Sequence, residues 1–263
     1  MAHSHAASAR LMADHAAVRR IGLQDLRTAL GKGIEDFGAM PTHVLFLIAI
    51  YPVAGVLIAA ATFEGQLIPI LFPLASGFAL IGPFAAISLY ELSRRRELGL
   101  DTNWVTAFSP LTHRSAKAIA LVGSVLLALF VAWILAAMGL YWALFGDMRF
   151  ASIPALAREV LTTPRGWALI VTGNLVGGAF SLLALAVSAV TFPLIIDRGT
   201  DAATAMETSL ALVRENPRTM LVWGLIIVGL LIIGTLPLFI GLALVLPILG
   251  HATWHLYRRA VMP

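Results

Sequence analysis

Residues Thr219 to Tyr257, TMLVWGLIIVGLLIIGTLPLFIGLALVLPILGHATWHLY, run without a single Lys, Arg, Asp or Glu. A spanning helix needs about 20 apolar residues to cross a hydrocarbon core of roughly 30 Å. This stretch is twice that length and holds two passes. Gly234, Thr235 and Pro237 supply the break, because proline offers no backbone N–H and disfavours helix in the residue before it. Two short helices joined at Gly234–Pro237 return the chain to the side it came from, so the protein is polytopic.

Composition agrees. The chain has 263 residues, 59% of them hydrophobic and 12% charged, with a mean hydropathy of +0.89; a soluble domain carries about 25% charged residues. There is no cysteine, which removes disulfides, thiolate metal sites and redox thiols. The net charge of +4 does not point to nucleic acid: the basic residues flank apolar runs as topology signals do, and neither a nucleic-acid fold nor a basic face is present. The first apolar run opens at His43 after a mostly polar segment, so no cleavable signal peptide is expected.

Residues 1–20 are Ala-rich without a sustained apolar face and read as a disordered tail, leaving 21–263 as one integral-membrane domain. In Ile21–Phe37, Leu23, Leu26, Leu30, Ile34 and Phe37 recur at spacings of three and four, which predicts an amphipathic helix lying in the membrane interface. Charge-free runs follow at Phe37–Phe63, Gly65–Tyr90, Ala118–Gly146, Gly166–Ile196 and Thr219–Tyr257. With the last divided, the expected spans are 43–63, 67–91, 118–145, 167–196, 219–235 and 237–257. Fifteen Lys and Arg fall on the side of the two ends of the chain, and three (Arg149, Arg158, Arg165) on the other. The positive-inside rule therefore places both termini in the cytoplasm. Tyr141, Trp142 and Trp167 are expected at the outer membrane boundary, and Tyr90, Trp223, Trp254 and Tyr257 at the inner one.

Three segments begin alike, at Gly22-Leu-Gln-Asp-Leu, Gly99-Leu-Asp-Thr-Asn and Gly199-Thr-Asp-Ala-Ala. Each opens a helical period, with Leu100, Trp104 and Phe108 sharing a face in the second and Met206, Leu210 and Val213 in the third. Thr200 or Asp201 is the expected N-cap of the third. The pattern predicts an approximate threefold repeat of one interfacial helix followed by a transmembrane hairpin. Pro83, Pro193 and Pro247 recur in the inner halves of the even-numbered spans.

Two stretches carry a family resemblance. One is Gly82-Pro-Phe-Ala-Ala-Ile-Ser-Leu-Tyr90-Glu91-Leu-Ser-Arg94-Arg95-Arg96-Glu97-Leu-Gly99; the other runs from Asp201 through Ser209, Asn216-Pro217 and Trp223 to Pro247-Ile-Leu-Gly-His251-Ala-Thr-Trp254-His255-Leu-Tyr257-Arg258. Together, from Leu23 to Val261, they resemble the uncharacterised bacterial integral-membrane family known as domain of unknown function 2189. The resemblance implies a six-helix inner-membrane protein. Members are sometimes labelled cytochrome c oxidase subunit I, and the residues argue against that label. A haem–copper catalytic subunit requires several axial histidines within its helices, whereas His43, His251 and His255 all sit near one membrane surface. An accessory role beside such a complex stays open.

No Asp, Glu, Lys or Arg lies mid-span, which disfavours proton relays and ion-coupled carriers, since these keep a titratable or paired charge in the membrane. A carrier for an apolar substrate stays open. His251 and His255, one helical turn apart, and His43 at similar depth are the candidates for metal or haem ligation. Against this, histidines at a helix end commonly bond headgroups or terminal carbonyls. Asn174, flanked by Gly173 and Gly177, is the intramembrane amide, expected to bond across to a neighbouring helix. Arg94, Arg95 and Arg96, with Arg258 and Arg259, read as an inside anchor or as a dock for anionic lipid or a partner. Ser93 and Ser209 have no evident triad partner, so no catalytic residue is assigned.

The expected protein is thus all-α, with six transmembrane helices in three hairpins and cytoplasmic interfacial helices. It is read as a non-enzymatic scaffold, assembly or accessory component, or a lipid organiser, without cofactor. Its partners are membrane lipids and a membrane-protein complex, with no nucleic acid. The alternatives are a carrier for an apolar or lipid-like molecule, with a mid-membrane cavity near Asn174, and histidine-mediated haem or metal binding.

Overall fold

The break at Gly234–Pro237 is where the sequence puts it. One helix ends at Thr235 and the next begins at Leu242. A Cβ on Gly241 would lie 2.8 Å from the Gly234 carbonyl oxygen, and one on Gly234 would lie 2.8 Å from a Leu242 methyl. The hairpin closes because both positions lack a side chain. This computed structural model describes residues 17–40, 73, 82–103, 105–111, 115–148, 150, 152–237 and 240–262. The expected spans at 43–63 and 67–91 fall almost wholly outside the described residues, as does His43.

Described elements are helical: α1 (Leu23–Ala39), α2 (Gly82–Ala85), α3 (Ile87–Glu97), a 3-10 helix (Thr106–Leu111), α4 (Ala116–Phe145), α5 (Ile153–Thr162), α6 (Pro164–Ser188), α7 (Thr191–Arg198), α8 (Ala202–Glu215), α9 (Pro217–Thr235) and α10 (Leu242–Ala260). Among the described residues, α4, the run Pro164–Arg198 that joins α6 to α7, and α9 are long and apolar enough to cross a membrane. α10, which was expected to be the sixth span, is not of this kind. It is 19 residues long, ends in Arg258 and Arg259, and is buried over most of its second half. The run from α6 to α7 is interrupted at Ala189–Val190. Pro193 lies four residues beyond Ala189, so the Ala189 carbonyl has no helical donor and is crowded by the ring.

The chain divides into two compact units, with the divisions falling inside α4 and α6. The first contains the described parts of Met1–Leu47, Pro83–Gly123 and Leu185–Pro263. Here α1 packs along α10 through Leu26, Ala29, Gly33 and Asp36. A Cβ on Gly33 would stand 2.7 Å from the Ala252 backbone nitrogen and 2.8 Å from the Ile248 carbonyl oxygen, so the two backbones touch there. α3 meets α10 where Leu89 lies on Gly250. Around this contact Tyr90, Phe192, Leu194, Ile195, Leu212, Met220, Trp223, Trp254, Leu256 and Tyr257 are buried.

Residues 17–20, assigned to the tail from sequence, belong to the fold. Val18 pairs antiparallel with Val261, and Arg19 N–H donates to the Ala260 carbonyl at 2.7 Å. Asn216, between α8 and α9, then clamps the entry to α1. Its Oδ1 accepts from Ile21 N–H at 2.8 Å and its Nδ2 donates to the Arg19 carbonyl at 3.0 Å. Thr219 Oγ1 donates to the Ile21 carbonyl at 2.9 Å, which fixes the start of α9 beside the start of α1.

The second unit contains the middle and end of α4, all of α5 and most of α6. Trp133 fills it: the ring is 5.9 Å from that of Phe180, packs over Gly177, and donates through Nε1 to the Pro73 carbonyl at 2.8 Å. Tyr141, Phe145 and Phe150 form an aromatic stack at the end of α4. Trp142 and Trp167 are exposed.

Three expectations need correction. The inner aromatic belt is not a belt: Tyr90, Trp223, Trp254 and Tyr257 are all core residues, at most 2% exposed. The threefold pattern does not translate into three equivalent helices. Gly22 precedes α1 with an ordinary negative φ, whereas Gly99 and Gly199 take positive φ of 68° and 65° and terminate α3 and α7. The segment after Gly99 forms a short 3-10 helix rather than a long amphipathic one. On α8 the buried face is Ala202, Ala205, Thr208, Ser209 and Leu212, not Met206, Leu210 and Val213, although Asp201 does cap it, accepting from Ala203 N–H and Thr204 N–H at 3.0 and 3.1 Å.

Candidate functional site

Three helices bring four polar residues, distant in sequence, into one closed cluster. Asp36 ends the packing face of α1, Ser93 lies on α3, and His251 and His255 lie one turn apart on α10. Their exposures are 2%, 1%, 0% and 9%. Asp36 Oδ2 accepts from the Ser93 hydroxyl at 2.5 Å and from His255 Nε2 at 2.9 Å, while Arg96 Nη1 donates to Oδ1. Ser93 Oγ also lies 2.8 Å from His251 Nδ1. An ionised carboxylate only accepts, so the serine proton points to Asp36 and the His251 contact is satisfied with the proton on Nδ1. Burial alone would raise the Asp36 pKa. The hydrogen bonds from His255 and Ser93, the His255 charge and the Arg96 contact outweigh it and bring the value down to about 2.

A rim of ion pairs surrounds the cluster. Glu91, buried on α3, lies 3.5 Å from Arg94 and 3.6 Å from Arg95. Arg258 reaches Glu97 at 3.0 Å and Asp197 at 3.3 Å, and Arg259 reaches Asp25 at 2.8 Å. Trp254 Nε1 donates to Glu97 at 3.0 Å and the Tyr257 hydroxyl donates to Asp197 at 2.6 Å. Arg94, Arg95, Arg96, Arg258 and Arg259, expected to face headgroups or a partner, are each engaged by a carboxylate of this chain. Asn174 departs from expectation too: it is exposed, and its Nδ2 donates to the Ile170 carbonyl of its own helix at 2.7 Å rather than across to a neighbour.

Sequence reading left Ser93 without a partner, yet the fold supplies both a histidine and an aspartate. The order is not that of an activated nucleophile, in which the aspartate orients the histidine that takes the serine proton. Here Asp36 binds the serine directly and orients the other histidine, and the hydroxyl is sealed from solvent. The arrangement fixes three helices to one another. Among the described residues no group of three His, Cys, Asp or Glu converges as a metal set. His251 Nδ1 and His255 Nε2 are instead turned to Ser93 and Asp36.

Asp36 and Asp197 are members of this site that the sequence did not lead to. Asp36 had a signal: it is the carboxylate on the face that Leu26, Ala29 and Gly33 share at spacings of three and four. Nothing in the sequence singled out Asp197.

Residues 71–197 match the family model described as "Predicted integral membrane protein (DUF2189)". The matched segment contains the Gly82–Gly99 motif, with Ser93 and Arg96, and ends before the second motif begins at Asp201. No curated protein and no solved structure matches the chain.

Proposed function

We propose that this integral membrane protein, similar over residues 71–197 to the DUF2189 family, is a non-enzymatic scaffold or accessory component of a membrane complex. In this reading it crosses the bacterial inner membrane six times with both ends cytoplasmic, and the polar-locked helix cluster forms its inner face. The observation that carries the reading is how little of α9 its own chain covers. Only 17% of its apolar window is buried, and 22% of that of α4. Leu221, Leu225, Val228, Ile232 and Ile233 stand exposed along α9, beside a cluster whose own charges are internally paired. Apolar helix faces of this kind are covered in a membrane by lipid or by other helices.

Purification from native membranes in a mild detergent tests this. A partner recovered in constant stoichiometry is the expected result. A clean monomer carrying only bulk lipid would remove the scaffold role.

A further inference from the structure

α1 uses one face against α10 and leaves the other open. Leu23 and Ile34 are 64% and 55% exposed, although they belong to the leucine stripe that marks the helix as amphipathic. Between this stripe and the first turns of α9 lies a groove of about 470 Å³, lined by Leu23, Leu26, Leu30, Ile34, Val222 and Ile226, with Arg27 at its edge. The Thr219–Ile21 bond holds the starts of the two helices together. Arg218 lies four and eight residues before Val222 and Ile226, on the same stripe of α9.

We propose that this groove binds one anionic phospholipid, its acyl chain along Leu23, Leu30, Ile34, Val222 and Ile226 and its phosphate between Arg27 and Arg218. Charge selects the occupant. The five arginines around the buried cluster are consumed by carboxylates, whereas Arg27 and Arg218 are exposed and make no ion pair among the described residues. Arg27 in the groove lining and Arg218 one turn before Val222 on α9 offer guanidinium groups to a phosphodiester whose hydrocarbon tail fills the groove. Continuity selects it as well: the groove runs into the exposed Leu221 and Leu225 face of a candidate spanning helix, where acyl chains are the surrounding solvent. Its volume lies within the range of about 300–1,000 Å³ typical of small-molecule sites. The proposal rests on the membrane reading of α9, not on any protein partner.

Native mass spectrometry of the full chain, stripped of lipid in detergent and offered equimolar phosphatidylglycerol and phosphatidylcholine, tests it. The wild-type protein is expected to retain one phosphatidylglycerol in preference to phosphatidylcholine. The double variant R27Q/R218Q should lose that preference by about tenfold or more, since each basic residue near an anionic headgroup contributes comparably. Leu30→Trp, which fills the groove, should abolish retention of both lipids, and Lys32→Gln, an exposed cation outside the groove, should change nothing. Unfolding temperatures of these variants should match wild type, which separates lost binding from lost fold. Equal retention of the two lipids by wild type, undiminished phosphatidylglycerol on R27Q/R218Q, or a groove filled instead by a co-purifying protein segment would each overturn the proposal.

Discussion

At the scale of single residues, Asp36 is the keystone of the polar cluster. Removing its charge leaves Arg96 and His255 facing a group that no longer compensates them. Asp36→Asn is therefore expected to destabilise the protein by about 3 kcal/mol, the lower end for breaking a buried pair because Arg96 is partly exposed. Denaturant unfolding of the detergent-solubilised protein measures this. The same carboxylate sets an acid limit. Its folded pKa of about 2 lies below the ordinary 3.8, so it contributes stability, about 2 kcal/mol, that is complete above pH 4 and disappears as pH falls through 2. Unfolding midpoints should drop over that window in wild type, and Asp36→Asn should remove that part of the drop. The sequence showed His251 and His255 as a pair on one face, because an i,i+4 spacing is visible in one dimension. It could not show that Asp36 faces them, since that juxtaposition depends on how α1 packs on α10.

At the scale of elements, one rule explains most differences between expectation and structure. A soluble amphipathic helix buries its large apolar residues, and on that basis Leu23, Leu30 and Ile34 on α1, and Met206, Leu210 and Val213 on α8, should face inward. The buried faces instead mix one leucine with small and polar residues: Leu26, Ala29, Gly33 and Asp36 on α1, and Ala202, Ala205, Thr208, Ser209 and Leu212 on α8. Beside lipid, a leucine gains little by leaving hydrocarbon for protein, so close approach by small residues decides the packing. Period and helix existence were legible; which face packs was not. Gly33→Val puts this to the test. Its side chain would strike the Ala252 backbone and the Ile248 carbonyl, which cannot rotate away, and a loss of about 1–3 kcal/mol is expected for such overpacking. Leu23→Gln, on the open face, should leave the unfolding midpoint nearly unchanged in the same assay. The expected break at Pro237 is real, and Pro193, read as lying inside a single span, also follows an interruption; Pro247, by contrast, is held inside the continuous α10.

For the molecule as a whole, the hydrocarbon-length runs at 118–145, 167–196 and 219–235 were readable from composition to within a few residues. The packing of 237–257 was not. That stretch is uncharged up to Tyr257, yet its second half is held in protein, where Trp254 and Tyr257 hydrogen-bond to Glu97 and Asp197. Charge counting and aromatic positions treat such a segment as lipid-facing because they do not register neighbours. The pairing of Val18 with Val261 puts two ends of the described chain side by side. Reporter fusions at the two ends should therefore give the same topological signal, which on the proposed topology is the cytoplasmic one. Opposite signals from the two fusions would contradict the pairing itself.

Asp36 and His255 are separated by 219 positions. A ribosome delivers the aspartate long before the helix that carries His255, and in the interval it makes α4, α6 and α9, three stretches long and apolar enough to cross a membrane. Until α10 arrives, the partners of Asp36 among the described residues are Arg96 and Ser93 of α3, and a product arrested before α10 would never gain the His255 bond.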